Sequence, residues 1–189
     1  MIAALEPPER PLLFLWGFMG TGKSTVGLAL ATLSGARFVD LDAQIAAAAG
    51  RSIAEMFASD GEAGFRELER AAVLAEIRAP PEPRVVALGG GALLDPAVRA
   101  HALTGAYVVV LTASAPIIAA RTAGGERPLL KHNPELAIDQ LLADRADAYS
   151  AAHLTIVTDD LDVAGVTHRL AGLWKTRILP LARDPDTLP

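Results

Sequence analysis

The stretch Gly17–Ser24 reads GFMGTGKS, a full match to the pattern G-x-x-x-x-G-K-[ST]. These residue types suit a polyphosphate. Glycines let the backbone curl tightly enough to turn several N–H groups inward as a nest for anionic oxygens. A helix starting directly behind the loop adds the partial positive charge of its N-terminus. Lys23 is a mobile point charge able to reach the outer phosphates, and Ser24 offers a hydroxyl to Mg²⁺. A glycine-rich turn can carry a lysine by chance. Here an apolar run precedes the loop and a helical pattern follows it, as the mechanism demands. A nucleoside triphosphate is the expected ligand. The loop alone does not separate kinases from GTPases or transport ATPases. The chain has no N-K-x-D guanine-reading signature, and its length favours a small-molecule kinase.

Asp40 and Asp42 (VDLD) sit at the end of a second candidate strand. In an open parallel sheet the carboxyl ends of strands line the ligand crevice, and alternate strand residues share a face. Both carboxylates can therefore face the phosphate site as a metal-anchoring and hydroxyl-orienting pair. The plainer alternative is a strand passing into a helix with Asp42 as its N-cap. Arg66 and Glu69, within DGEAGFRELE (Asp60–Glu69), stand one helical turn apart. Gly89, Gly90 and Gly91 end a third apolar segment, where a flat ligand or its carboxylate can approach bare backbone. Arg127 opens RPLL shortly after a glycine pair, and Arg145 lies in DRADAYSA (Asp144–Ala151). Taken singly, Arg66, Arg121 and Arg145 read as ordinary helix-face charges, and Arg127 as a cap before Pro128. As a set beside a phosphate loop they read otherwise, because a carboxylate ligand favours bidentate guanidinium.

The elements that must position these groups alternate. Pro11–Trp16, Arg37–Leu41, Val85–Leu88, Tyr107–Leu111 and Leu154–Val157 read as five strands, mostly short continuous apolar runs of the kind buried parallel strands show. Helices are expected over Ser24–Leu33, Ala43–Ala49, Ile53–Phe57, Glu62–Arg78, Ala115–Arg121, Pro134–Tyr149 and Val163–Trp174, with no element assigned between Gly91 and Tyr107. In Glu62–Arg78 the apolar stripe is Phe65, Leu68, Ala72, Val73 and Ile77. The three prolines of Ala79–Pro83 require a loop. This alternation predicts an α/β fold, a parallel sheet covered on both faces. A single domain over 11–178 is expected, with loose termini at 1–10 and 179–189.

Composition narrows the function classes. The chain has 189 residues, 51% hydrophobic, with a net charge of -5, which argues against a general nucleic-acid binder. It contains no cysteine, so thiolate catalysis and cysteine-ligated metal are excluded, and a reducing cytoplasm fits. No run approaches the roughly 18 apolar residues of a membrane span. The first residues carry no basic start and too short an apolar run for a signal peptide. His101, His132, His153 and His168 lack metal-binding spacing and read as surface residues; Trp16 and Trp174 read as packing.

In order along the chain, GFMGTGKST, VDLD, the DGE..FR..E segment, GGGA, RPLL and R...Y closely resemble the shikimate kinase family. The resemblance spans about Leu13 to Leu170. It implies a P-loop kinase with a five-stranded parallel sheet flanked by helices and a mobile lid, acting on shikimate with ATP and Mg²⁺. It implies that Gly20, Thr21, Gly22, Lys23, Ser24 and Thr25 hold the nucleotide, with Ser24, and Asp40 through water, serving Mg²⁺. Asp42 is the implied base toward the acceptor hydroxyl. Arg66 and Arg145 would grip the acceptor carboxylate, with Glu69 bracing Arg66 and Gly89, Gly90 and Gly91 as the floor. Arg127 would face the transferring phosphoryl from the lid, and Arg121 would cover adenine. A cytoplasmic monomer without nucleic-acid or membrane partners is expected. Two alternatives stay open: another kinase on this scaffold, such as a gluconate kinase, and a catalytically silent ligand sensor.

Overall fold

The computed structural model describes residues 8, 10–123 and 134–182. Its centre is β1 (Leu12–Trp16), in which every residue is buried. β1 alternates between two cores, sending Leu12, Phe14 and Trp16 to one face and Leu13 and Leu15 to the other. Around it stand β2 (Arg37–Asp40), β3 (Arg84–Ala87), β4 (Tyr107–Thr112) and β5 (Leu154–Val157). All pairings are parallel, in the order β2-β3-β1-β4-β5. The carboxyl ends of the five strands thus lie along one edge.

One face is covered by α1 (Lys23–Ser34) and α7 (Val163–Leu173), through Val26, Leu30, Val166 and Leu170. The other is covered by α2 (Leu41–Ala49), α3 (Ile53–Arg78) and α4 (Pro96–Gly105), through Ile45, Met56, Phe65, Val73 and Val98. Each such apolar side chain, fully buried, contributes about 1.5–3 kcal/mol. A smaller cluster joins Phe18 to Ile118 of α5 (Ala115–Thr122) and Ile138 of α6 (Pro134–Ser150). Among the described residues, no helix is long and apolar enough to cross a membrane.

The α/β expectation holds, and strand boundaries move by a residue or so. Four details differ from the sequence reading. The helix α4 occupies a segment to which no element was assigned, started by Asp95, whose Oδ1 accepts the N–H groups of Ala97 and Val98 at 2.7 and 3.1 Å. The two helices expected on either side of Gly61 run on as α3, with a break where Gly61 takes φ 72°. Arg10, placed in a loose lead-in, donates to the carbonyls of Ile77 and Ala79, both at 2.8 Å. His153 is also no plain surface residue. It is half-buried, stacks on Tyr107 with centroids 4.8 Å apart, and its Nδ1 accepts the Val108 N–H at 3.0 Å. Both tryptophans pack in the core, as expected.

Candidate active site

The phosphate loop leaves β1 at Gly17, whose φ of 135° and close approach to the Leu111 carbonyl leave no room for a side chain. It ends at Gly22, left-handed at φ 92°, which precedes α1 without a capping side chain. No acidic residue occupies the first turn of α1, so its N-terminal N–H groups are presented to an anion rather than a neighbouring carboxylate. The Phe18 carbonyl ties the loop together, accepting from the Thr21 hydroxyl and from Lys23 Nζ, each at 2.8 Å.

A cleft of about 580 Å³ opens beside the loop, with Gly20, Thr21, Gly22, Lys23, Ser24 and Thr25 on one wall. Arg121, Thr158, Leu161, Asp162 and Val163 complete its lining. Arg121 is anchored edge-on, donating to the Thr158 hydroxyl at 2.9 Å and the Thr158 carbonyl at 2.8 Å. Thr158, Leu161, Asp162 and Val163 were not singled out from sequence. The available signal was positional: they follow the carboxyl end of β5, on the edge that carries the loop.

Ser24 donates its hydroxyl to Asp40 Oδ2 at 2.6 Å, while Asp40 Oδ1 accepts the Ala43 N–H at 3.2 Å. Asp40, not Asp42, is therefore the N-cap of α2. Asp42 reaches the crevice from the first helical turn instead of from the strand. A hydroxyl and a carboxylate in contact at the loop are hard oxygen donors, a set that suits Mg²⁺, which takes one or two protein oxygens and fills the rest with phosphate and water.

Asp42, Glu69, Arg66 and Arg145 meet over the triple glycine after β3. A Cβ on Gly89 would touch Glu69 Oε1 and lie 3.0 Å from Asp42 Oδ1. One on Gly90 would lie 3.3 Å from Arg145 Nη1 and 3.3 Å from the Gly17 carbonyl oxygen. One on Gly91 would collide with the Arg66 guanidinium. A side chain at Gly89 or Gly91 would displace Glu69 or Arg66, and one at Gly90 would be tight. Arg66 donates to Glu69 Oε2 at 2.6 Å and to Glu62 Oε1 at 3.0 Å, and Glu69 is 2% exposed. Arg145 lies over the Phe18 ring, 5.2 Å from its centroid.

The electrostatics are uneven. Burial pushes the Asp42 carboxyl above its ordinary value and neighbouring Asp40 pushes the same way, while Lys23 and Arg66 pull it down. Burial likewise raises Glu69, against the pull of Arg66. Asp42 Oδ1 and Glu69 Oε1 are buried without a hydrogen-bond partner among the described residues, and both face the Gly89 backbone. Two unpaired buried acceptors beside two guanidiniums form a receptor for a ligand that carries both hydroxyl donors and a carboxylate.

The structure thus groups Asp42, Arg66, Arg145 and Gly89–Gly91 on one side of the phosphate loop, and puts Arg121 on the other. Arg127 lies outside the described residues, as does RPLL with the expected lid segment from Gly124 onward.

A family model described as shikimate kinase matches residues 19–171. The shikimate kinase of Geobacter sulfurreducens is 46% identical over 168 residues, covering 87% of this chain and 91% of the relative. That of Salinibacter ruber is 44% identical over 167 residues, covering 81% of each. Among solved structures, shikimate kinase from Acinetobacter baumannii in complex with shikimate superposes with a TM-score of 0.81 at 34% identity, covering 87% of this chain and 92% of that one.

Proposed function

The chain belongs to the shikimate kinase family, and from that premise we propose how its residues divide the work of ATP-dependent phosphorylation of shikimate to shikimate 3-phosphate. The acceptor hydroxyl oxygen forms a bond to the γ-phosphorus, the bond to the bridging oxygen of ADP breaks, and the hydroxyl proton passes to Asp42. Phosphoryl transfer is mainly positioning and charge neutralisation, so Asp42 acts first by orienting the hydroxyl and takes its proton late. Burial, by raising its carboxyl, makes it the better acceptor.

Arg66 and Arg145 take the shikimate carboxylate, and the paired Glu69 keeps Arg66 from swinging away. Gly89, Gly90 and Gly91 form the floor on which the flat ring lies. Lys23 and the loop N–H groups hold the β- and γ-phosphates, and Arg121, fixed by Thr158, presents its guanidinium face to adenine. Arg127 is assigned to the transferring phosphoryl. Ser24, with Asp40 through water, would hold Mg²⁺, which when bound neutralises charge on the phosphate oxygens. We assign the protein to the cytoplasm as a monomer without nucleic-acid or membrane partners, which its net charge of -5 and lack of cysteine suit.

The observation that carries this reading is the convergence of Asp42, Glu69, Arg66 and Arg145 on the triple glycine beside the phosphate loop. A coupled ADP-release assay with Mg²⁺ and ATP, run with shikimate and gluconate side by side, tests it. Saturable turnover with shikimate alone is expected. Preference for gluconate would reassign the acceptor, and binding without turnover would make the chain a sensor.

A further inference from the structure

The Gly90 carbonyl is held from two remote parts of the chain. Trp16 Nε1–H donates to it from the end of β1 at 3.2 Å, and the Tyr149 hydroxyl donates from α6 at 3.3 Å. The two rings pack edge to face, centroids 4.6 Å apart and planes at 80°, which fixes each donor against the other. Trp16 is fully buried and Tyr149 is 8% exposed.

A trans peptide is planar, and its carbonyl and the following N–H point in opposite directions. With the Gly90 carbonyl turned inward to Trp16 and Tyr149, the Gly91 N–H must face the other way. Gly91 itself lies beside the Arg66 guanidinium, which a Cβ there would meet. Arg145, one helical turn before Tyr149 on α6, sets its Nη1 3.3 Å from where a Cβ on Gly90 would lie. One phenol therefore ties the helix that carries Arg145 to the glycine floor, and one indole holds the same carbonyl from β1.

We propose that Trp16 and Tyr149 are positioning residues for the acceptor, fixing the Gly90–Gly91 peptide so that its N–H joins Arg66 and Arg145 at the acceptor carboxylate. The proposal rests on the reading of this pocket as the shikimate site. Neither residue lines the nucleotide cleft, so their loss should be felt mainly on the acceptor.

The test uses Tyr149→Phe, which removes one oxygen, and Trp16→Phe, which removes the N–H, each compared with the unmodified enzyme. Steady-state kinetics at saturating co-substrate separate the KM of shikimate from that of ATP, with circular dichroism and melting curves run on the same samples. The expected result is a rise of about fivefold to tenfold in shikimate KM for Tyr149→Phe, the size of one neutral hydrogen bond, with ATP KM within twofold. Trp16→Phe should show the same split even where its melting temperature falls, because a packing defect has no reason to choose between substrates. An unchanged shikimate KM in Tyr149→Phe, or parallel rises in both KM values in both variants, would overturn the proposal. An unmodified enzyme inactive on shikimate would instead overturn the functional reading beneath it.

Discussion

Replacing Arg66 by methionine separates what the guanidinium does for binding from what it does for the fold. Glu69 is 2% exposed, and its carboxylate accepts from Arg66 at 2.6 Å. Removing one partner of a buried ion pair costs about 3–5 kcal/mol, because the other charge is stranded. Arg66 is one-third exposed, so the lower figure of about 3 kcal/mol applies. For a domain of this size that is a fall of ~6–12 °C in melting temperature at neutral pH. The sign with pH follows from burial, which raises the Glu69 carboxyl above its unfolded value. The variant's deficit is fully developed once pH exceeds the folded value, and it shrinks as pH falls toward the ordinary carboxylate range. Adding Glu69→Gln removes the stranded charge and should restore most of the lost stability. It cannot restore the grip on shikimate. Loss of a charge-assisted hydrogen bond, about 1.5–3 kcal/mol, corresponds to a shikimate KM raised ~10–150-fold in both the single and the double variant, with ATP KM unchanged. Equal rises in both KM values, or recovery of shikimate KM in the double variant, would refute the assignment.

Lys23→Ala should abolish turnover while the melting temperature stays close to that of the unmodified chain, since the side chain's bond to the Phe18 carbonyl is only partly buried; near-normal kcat would contradict its role. Asp42→Asn should lower kcat by two to four decades and raise the melting temperature at pH 8, because burial and Asp40 make the ionised form costly in the folded state. That thermal gap should close as pH falls below the ordinary carboxylate range, and a destabilised Asp42→Asn variant at pH 8 would count against the buried charge. His153 titrates in the other direction: its Nδ1 accepts the Val108 N–H and burial lowers its pKa from 6.5. Stability from His153 is present in full above about 6.5 and is lost as pH falls from there through the folded value. Melting curves from pH 8 to 5 should therefore be flatter in His153→Asn than in the unmodified chain.

What was legible in the sequence was what local pattern encodes. Pro11–Trp16 and Tyr107–Leu111 announce central strands because both faces of the sheet are covered, and the phosphate loop announces itself by glycine spacing. The helix α4 was missed because its buried side is thin, Val98 and Ala102, although Asp95-Pro96 is a helix-start signal. The nearness of Asp40 and Asp42 to the loop could be read from strand direction. Which of the two caps α2 could not, since either spacing is compatible with a cap. The bonds from Trp16 and Tyr149 to Gly90 join positions 74 and 59 residues apart, and no period or propensity records a contact at that range. Thr158 owes its role to a strand order that brings β5 beside β4, a feature of topology rather than of its own neighbours in the chain.

The central claim is that two guanidiniums from α3 and α6 recognise a carboxylate on the molecule being phosphorylated. The most direct measurement is the kcat/KM of shikimate against that of its methyl ester, which keeps the ring and hydroxyls and removes the charge. A loss of about two orders of magnitude or more with the ester is predicted, with ATP KM unmoved. Comparable values for acid and ester would contradict it.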